Sequence, residues 1–382
     1  MRPLCLSGEI NIYLYLKMNK KNITTCADTS ALLSTVLIFG VFLTLSSCKK
    51  TAKKEVQKNV YPSDVISFSN HWKLILGDGS NAGHPNNFEH KDFFYTANEG
   101  ETNWVVYKAP NAGNTHGTSN NTRTELAQTK KWYPKTANDK LTATLKVMNV
   151  SSTGDARVAA SYSVVIGQIH SADGHENEPL KIFYKKFPGH TKGSVFWHYE
   201  INTAGDDNTG RWDYSTAVWG HDFSVVGAEA NTYPKEPKDG IALGEEFSYK
   251  IEVINGIMTL KFMSENHETK TFTKNLIVSE YTTTDDIPKQ TQKLFVPIGQ
   301  DGVERKNAYA GEGCFFKLGS YNQTNGKSPE LNRNWCSGAE THSGDIQKQY
   351  KDGNYAEVWF KKASISISDA SVSNEGYFAK ND

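Results

Sequence analysis

Residues 247–263 read FSYKIEVINGIMTLKFM. Two β-rich runs meet at Asn255-Gly256. Asn-Gly accommodates the two positive φ angles of a type I′ turn, so the segment predicts a hairpin. Working outward, KLTATLKVMNV at 140–150 sets Leu141, Ala143, Leu145 and Val147 against Thr142, Thr144 and Lys146. Side chains two apart share a face of a strand, so this run predicts a strand with one wet face. Comparable runs at 103–108, 157–170, 180–186, 195–201, 293–300, 313–323 and 355–368 also read as strands. No long stretch keeps a helical period. Many strands with Gly- and Asn-rich turns predict an all-β sandwich or barrel. The segments 202–240 and 324–350 read as long loops, which in a compact domain usually carry function or lack order.

The beginning of the chain reads differently. Residues 31–45, ALLSTVLIFGVFLTL, are almost wholly apolar, with Lys20 and Lys21 upstream and Ser46 and Ser47 after. The run is short for a bilayer span, which takes about 20 residues, and its flanks predict a secretory signal peptide over 1–47. Met18 offers a second start. LSSC at 45–48 resembles a bacterial lipobox, which implies cleavage before Cys48 and lipidation of its thiol. Residues 49–60, KKTAKKEVQKNV, are basic and polar and predict a flexible tether. The tethered lipid, with residues 48–60, would leave a single folded domain over 61–382. An exported, lipid-anchored protein is expected, with the outer membrane the favoured site. Lys and Arg total 42 and so do Asp and Glu, so charge directs nothing toward nucleic acid. In an oxidising compartment a disulfide between Cys314 and Cys336 is allowed, and two separately buried thiols remain the alternative.

Three short stretches carry polar side chains on one face. VVIGQIHSADGH at 164–175 places Gln168 and His170 together, with Ile169, Val165 and Gly167 expected toward the core. NTRTEL places Arg123 and Glu125 together. CFFKLGSYNQ places Lys317, Gly319, Tyr321 and Gln323 together, with Phe316 and Leu318 behind. On neighbouring strands these would present Arg, Gln, His, Lys and Tyr as one surface, able to bind an anion and move protons. Most glycosidases flank the bond with two carboxyl groups, and no such pair stands out. Glu125 reads more easily as the partner that fixes Arg123. His170 and His175 make a weak metal pair, so neither a metal nor another cofactor is expected.

In this order the stretches resemble the alginate lyases of polysaccharide lyase family 7, whose motifs are R-[ST]-E-[LV]-R, Q-[IV]-H and Y-F-K-A-G-x-Y-x-Q. This chain has RTELA at 123–127, QIH at 168–170 and FFKLGSYNQ at 315–323. The departures are Ala127, Phe315 and Leu318. The resemblance covers about 61–368 and implies a β-jelly roll whose curved sheet forms a substrate groove or pocket. It also implies β-elimination on a polyuronate, leaving a 4,5-unsaturated uronate end. In that chemistry Arg123 and Gln168 would hold the uronate carboxylate and absorb charge that builds up beside it. His170 would take the C5 proton of guluronate, and Tyr321 would protonate the leaving oxygen. For mannuronate Tyr321 would do both jobs. Lys317, Gln323 and Glu125 would complete the substrate contacts, and Lys185, Lys186 and Arg333 could line a polyanion groove. Trp212, Tyr214 and Trp219 read as loop aromatics that pack the loop or stack on sugar. The length of the two loops favours release from chain ends.

The expected partner is therefore alginate. No nucleic acid is expected, membrane contact comes only through the anchor, and the chain reads as a monomer. Two other readings stay open: a non-catalytic polyuronate-binding lipoprotein, and a lyase on another polyuronate such as glucuronan.

Overall fold

The computed structural model describes residues 60–68, 70–115, 119–173, 178–201, 212–277 and 311–381. The expected signal peptide, Cys48 and most of the tether lie outside them, as do His175 and the expected strand at 293–300. The larger sheet has nine strands. In order they are β11 (Trp212–Trp219), β10 (Lys192–Ile201), β9 (Leu180–Lys185), β8 (Ser163–Ser171), β16 (Cys314–Asn322), β5 (Arg123–Gln128), β1 (Trp72–Ile75) and β2 (Asn81–Gly83), with β12 (Ile241–Ala242) on β10. The second sheet has seven: β15 (Lys270–Asn275), β14 (Ile257–Ser264), β13 (Phe247–Ile254), β7 (Asn138–Asn149), β17 (Tyr355–Ser366), β4 (Thr102–Pro110) and β3 (Phe94–Glu99). A small pair joins β6 (Lys130–Lys131) to β18 (Val372–Ser373). Among the described residues, short helices α1 (Pro62–Val65), α2 (Ile346–Lys351) and α3 (Glu375–Asn381) lie around the sandwich. The all-β reading holds, and the architecture is the jelly-roll sandwich.

The opening hairpin is β13–β14. Asn255 and Gly256 take φ of 48° and 88°, and pairing runs from Ile254–Ile257 back to Phe247–Ser264. Leu141, Leu145 and Val147 of β7 and Phe247, Tyr249, Ile251 and Val253 of β13 are buried. Leu74, Leu126, Ile166, Ile169, Ile182, Phe316 and Leu318 meet them from the larger sheet in one core. Each such side chain contributes roughly 1.5–3 kcal/mol on burial. This apolar layer sets which face of the larger sheet is left for polar groups.

Two sequence-based expectations need correction, and one open alternative is decided. The run 157–170 becomes strand only at Ser163. Before it, Tyr162 takes φ of 63°, and Asp155 draws Arg157 into a turn by accepting from its backbone N–H at 2.9 Å. Within 202–240, residues 212–219 form the edge strand β11 rather than loop. Its alternation is broken by a bulge, where Val195 faces Trp219 and Phe196 faces Ala217. Trp219 is buried against Phe247 and Phe262, and Tyr214 packs on the core. Finally, Cys314 and Cys336 are separate buried thiols, not a disulfide. Cys314 opens β16 and donates its S–H to the carbonyl of Glu312, whereas Cys336 follows the Asn332 turn in the 324–350 segment.

Candidate active site

The three strands bearing the polar stretches, β8, β16 and β5, are neighbours. Lys317 pairs with Gln168 on one side and Ala127 on the other. Gly319 faces Glu125, Tyr321 faces Arg123, and Phe315 faces His170. Ile169, Leu126, Phe316 and Leu318 enter the core, so the polar set lies on the opposite, outer face. Val165 does not point inward with Ile169 as expected. It clusters with Phe183, Phe196 and Tyr321, while Val164 and Ile166 enter the core. The register shift between Val165 and Gly167 explains this, because one extra residue reverses the alternation. Gly167 is required there. A Cβ on it would lie 2.5 Å from the Tyr249 hydroxyl, which donates to the Ile166 carbonyl at 3.0 Å.

Glu125 is the hub. It is 1% exposed and accepts from Gln168 Nε2, from Lys317 Nζ at 2.7 Å and from Arg123 Nη1 at 3.4 Å. Arg123 also donates through Nη2 to Ser119 Oγ at 2.8 Å. Its guanidinium carbon sits 3.8 Å from the centre of the Tyr321 ring. The Tyr321 hydroxyl lies 3.2 Å from the same Ser119 oxygen. Glu125 thus organises the donors around it. Two polar atoms in this layer, Arg123 Nε and Gln168 Oε1, are buried without a partner among the described residues. Such atoms are costly unless something binds them. Gln323, just past the end of β16, donates its amide to the Tyr321 carbonyl at 3.4 Å.

His170 is 5% exposed. Its Nδ1 lies 2.7 Å from the Ser171 carbonyl, an acceptor only, so Nδ1 carries the proton and Nε2 is left basic. Burial, with the charges of Lys317 and Arg123, pushes its pKa down to about 4 against the pull of Glu178. The imidazole is therefore neutral at neutral pH. Glu178 Oε1 stands 3.7 Å from Nε2 and the Tyr377 hydroxyl 3.5 Å from it. Lys317 is lowered to about 8 by burial first and then by Arg123, with Glu125 opposing.

The other expected contacts are not brought together here. Lys185 lies on the same face of β9 as Lys181 and Phe183, but its ammonium is buried against the carbonyls of Ala159 at 2.7 Å and Val225 at 3.4 Å. Lys186 donates to the His190 carbonyl at 2.8 Å. Arg333 is exposed and paired with Glu330 at 2.6 Å. The two lysines are held by backbone carbonyls that the sequence does not display beside them.

Sequence reasoning missed a second polar group. Lys181 pairs with Gln168 across β8–β9 and binds Glu200 at 2.7 Å and Glu178 at 3.0 Å. Beside it, His198 Nδ1 meets Asp213 at 3.2 Å, and Trp335 of the 324–350 segment closes over Phe223 and Lys181. The usable signal was the one that marked Gln168, a polar residue inside an apolar strand run. Gln168, Lys317 and His170 face away from the core and yet are at most 5% exposed. Flanking segments carrying Ser119, Trp335 and Tyr377 therefore stand over this face. Among the described residues no cluster of three or more His, Cys, Asp or Glu forms a metal site.

Comparison with known proteins agrees with this geometry. The family model described as alginate lyase matches residues 66–367. The exolytic PL7 alginate lyase of Zobellia galactanivorans is 63% identical in sequence, with a TM-score of 0.74 over 81% of this chain and 99% of that one. The alginate lyase structure from Klebsiella pneumoniae shares the fold at 22% identity and a TM-score of 0.53, covering 78% of this chain and 96% of that one. A curated alginate lyase from the same organism is 30% identical over 190 residues, half of this chain and half of that protein's length. The chain belongs to the alginate lyase family.

Proposed function

We propose that this protein cleaves alginate by β-elimination, working from chain ends. The observation that carries the reading is the gathering of Arg123, Gln168, Lys317 and Tyr321 around buried Glu125, with a neutral His170 alongside. The C5–H of a uronate is very weakly acidic while its carboxylate is ionised. Donors on that carboxylate must absorb the charge that develops in the transition state. The unpartnered Arg123 Nε, the second N–H of Gln168 and the Lys317 ammonium are suited to this role. His170 Nε2 takes the C5 proton of a guluronate. The C5–H electron pair becomes the C4=C5 double bond, the C4–O bond breaks, and Tyr321 gives its phenolic proton to the leaving oxygen. Glu178 then stabilises the imidazolium. A protein that only bound sugar would need neither the basic Nε2 nor the phenol.

The segments standing over the site face favour end-on cleavage, as does 63% identity to a relative described as exolytic. The test is digestion of alginate followed by absorbance of the unsaturated uronate and by product sizing. Unsaturated monomer or dimer from the first minutes is expected. Long early oligomers would contradict the end-on mode, and absorbance only on glucuronan would reassign the substrate. Binding without turnover on every polyuronate would make the protein a capture module. We also propose lipid anchoring of the exported chain through Cys48, supported by the LSSC sequence at 45–48. Cys48→Ser should release the protein from membranes, and unchanged membrane association would contradict it.

A further inference from the structure

The family match ends at residue 367, but the chain continues across the site face. Val372 and Ser373 pair with Lys131 and Lys130, and the Asn374 N–H donates to the Thr129 carbonyl at 2.9 Å. These contacts deliver α3 to the end of β5. There Phe378 is buried in a small apolar cluster with Ala127 and Phe315, and Lys73 Nζ lies 4.4 Å from its ring centre. Tyr377 packs at 4.9 Å from Phe315 and 5.4 Å from His170, ring centre to ring centre. Its hydroxyl is the group 3.5 Å from the basic Nε2.

Ala127 and Phe315 are two of the chain's three departures from the family motifs. An arginine at 127 would drive a charged head into the seat that Phe378 fills. The departures and the added segment thus fit each other: an apolar seat exists where the family motif carries an arginine, and the C-terminal segment occupies it. We propose that residues 372–381 are a specificity-determining cap that ends the substrate recess beyond His170, anchored by Phe378, with Tyr377 as a positioning residue for the imidazole. This rests on the end-on lyase reading and names the element responsible for it. A polyuronate cannot continue past His170 on the Ala127 side while the segment is seated. The charged or titratable groups around the imidazole are Glu178, Lys317, Arg123 and Tyr377. Of these only Tyr377 belongs to the cap.

The test compares the full chain with one ending at Ser371, and with full-length Tyr377→Ala/Phe378→Ala in case the shortened chain does not fold. Folding is checked by circular dichroism. Early products from alginate should lengthen from monomer and dimer to larger oligomers. The imidazole of His170, followed by NMR, should titrate at least one pH unit higher once uncovered. A folded variant that keeps both short early products and the low midpoint would overturn the proposal. Long early products from the intact chain would overturn it as well. If the intact chain proved inert on alginate, the lyase reading would fall, while the titration, which needs no turnover, would still decide the cap. A raised midpoint would support it and an unmoved one would refute it.

Discussion

Two buried charge networks flank His170, and they are built in opposite senses. In one, the carboxylate of Glu125 lies between two cations, Lys317 at 2.7 Å and Arg123 at 3.4 Å. In the other, the ammonium of Lys181 lies between two carboxylates, Glu200 at 2.7 Å and Glu178 at 3.0 Å. Buried ion pairs are weak sources of stability because desolvation offsets their attraction, so the arrangement calls for another explanation. The first network suits an arriving carboxylate. The second puts negative charge beside an imidazole that would become cationic in the proposed turnover. On the proposed mechanism the difference separates substrate grip from proton acceptance across a few strands of one sheet.

The sharpest way to break the comparison is to remove each centre or spoke. Glu125→Gln leaves two buried cations without their shared acceptor. A loss of about 3–5 kcal/mol in urea unfolding is expected, with activity falling alongside. A loss below ~1 kcal/mol would deny Glu125 its central place. Next in size is acid sensitivity. The folded pKa of His170 lies near 4, below the ordinary 6.5, so the unfolded chain takes up the proton first as pH falls. The stability tied to the neutral imidazole is complete above about pH 6.5 and is lost as pH drops toward 4. It amounts to about 3 kcal/mol. His170→Gln should flatten that part of the stability–pH curve, and an unchanged slope would place the effect elsewhere.

Among the cations of the first network Lys317, lowered to about 8, is the one that loses its charge on the alkaline side. Affinity for a short oligouronate should weaken as pH rises through that value, with turnover changing less. Binding that stays flat to about pH 9.5 would remove Lys317 from the grip. The smallest effect belongs to a spoke of the second network. Glu200→Gln leaves Lys181 still held by Glu178, and a loss on the order of 1–2 kcal/mol is expected. A cost equal to that of Glu125→Gln would erase the distinction between the two networks.

The sequence made the sandwich legible because the Asn255-Gly256 turn and the alternation of β7 are local signals. The polar set of the candidate site was legible for a related reason. Polar residues such as Gln168 and Lys317 inside apolar strands have no packing excuse. What stayed hidden depends on register and on distant chain. The bulge at Val165–Gly167 cannot be seen without the neighbouring strands. Lys185 reads as a free cation until the loops carrying Ala159 and Val225 cover it. Glu178 and Lys181 gain meaning only when β9 is laid beside β8. Tyr377 lies 207 positions from His170, and no local pattern in the C-terminal tail announces where it lands.

The central claim is that the Glu125-organised layer grips the uronate while Tyr321 and His170 move the protons. Tyr321→Phe tests it most directly, because the substitution keeps the ring beneath Arg123 and removes only the acid. Turnover on alginate, read as unsaturated uronate, should fall by roughly 10²–10⁴-fold, with oligouronate affinity held within a few-fold by calorimetry. Turnover within about tenfold of the unsubstituted protein would contradict the assignment, because a different group would then be supplying the proton.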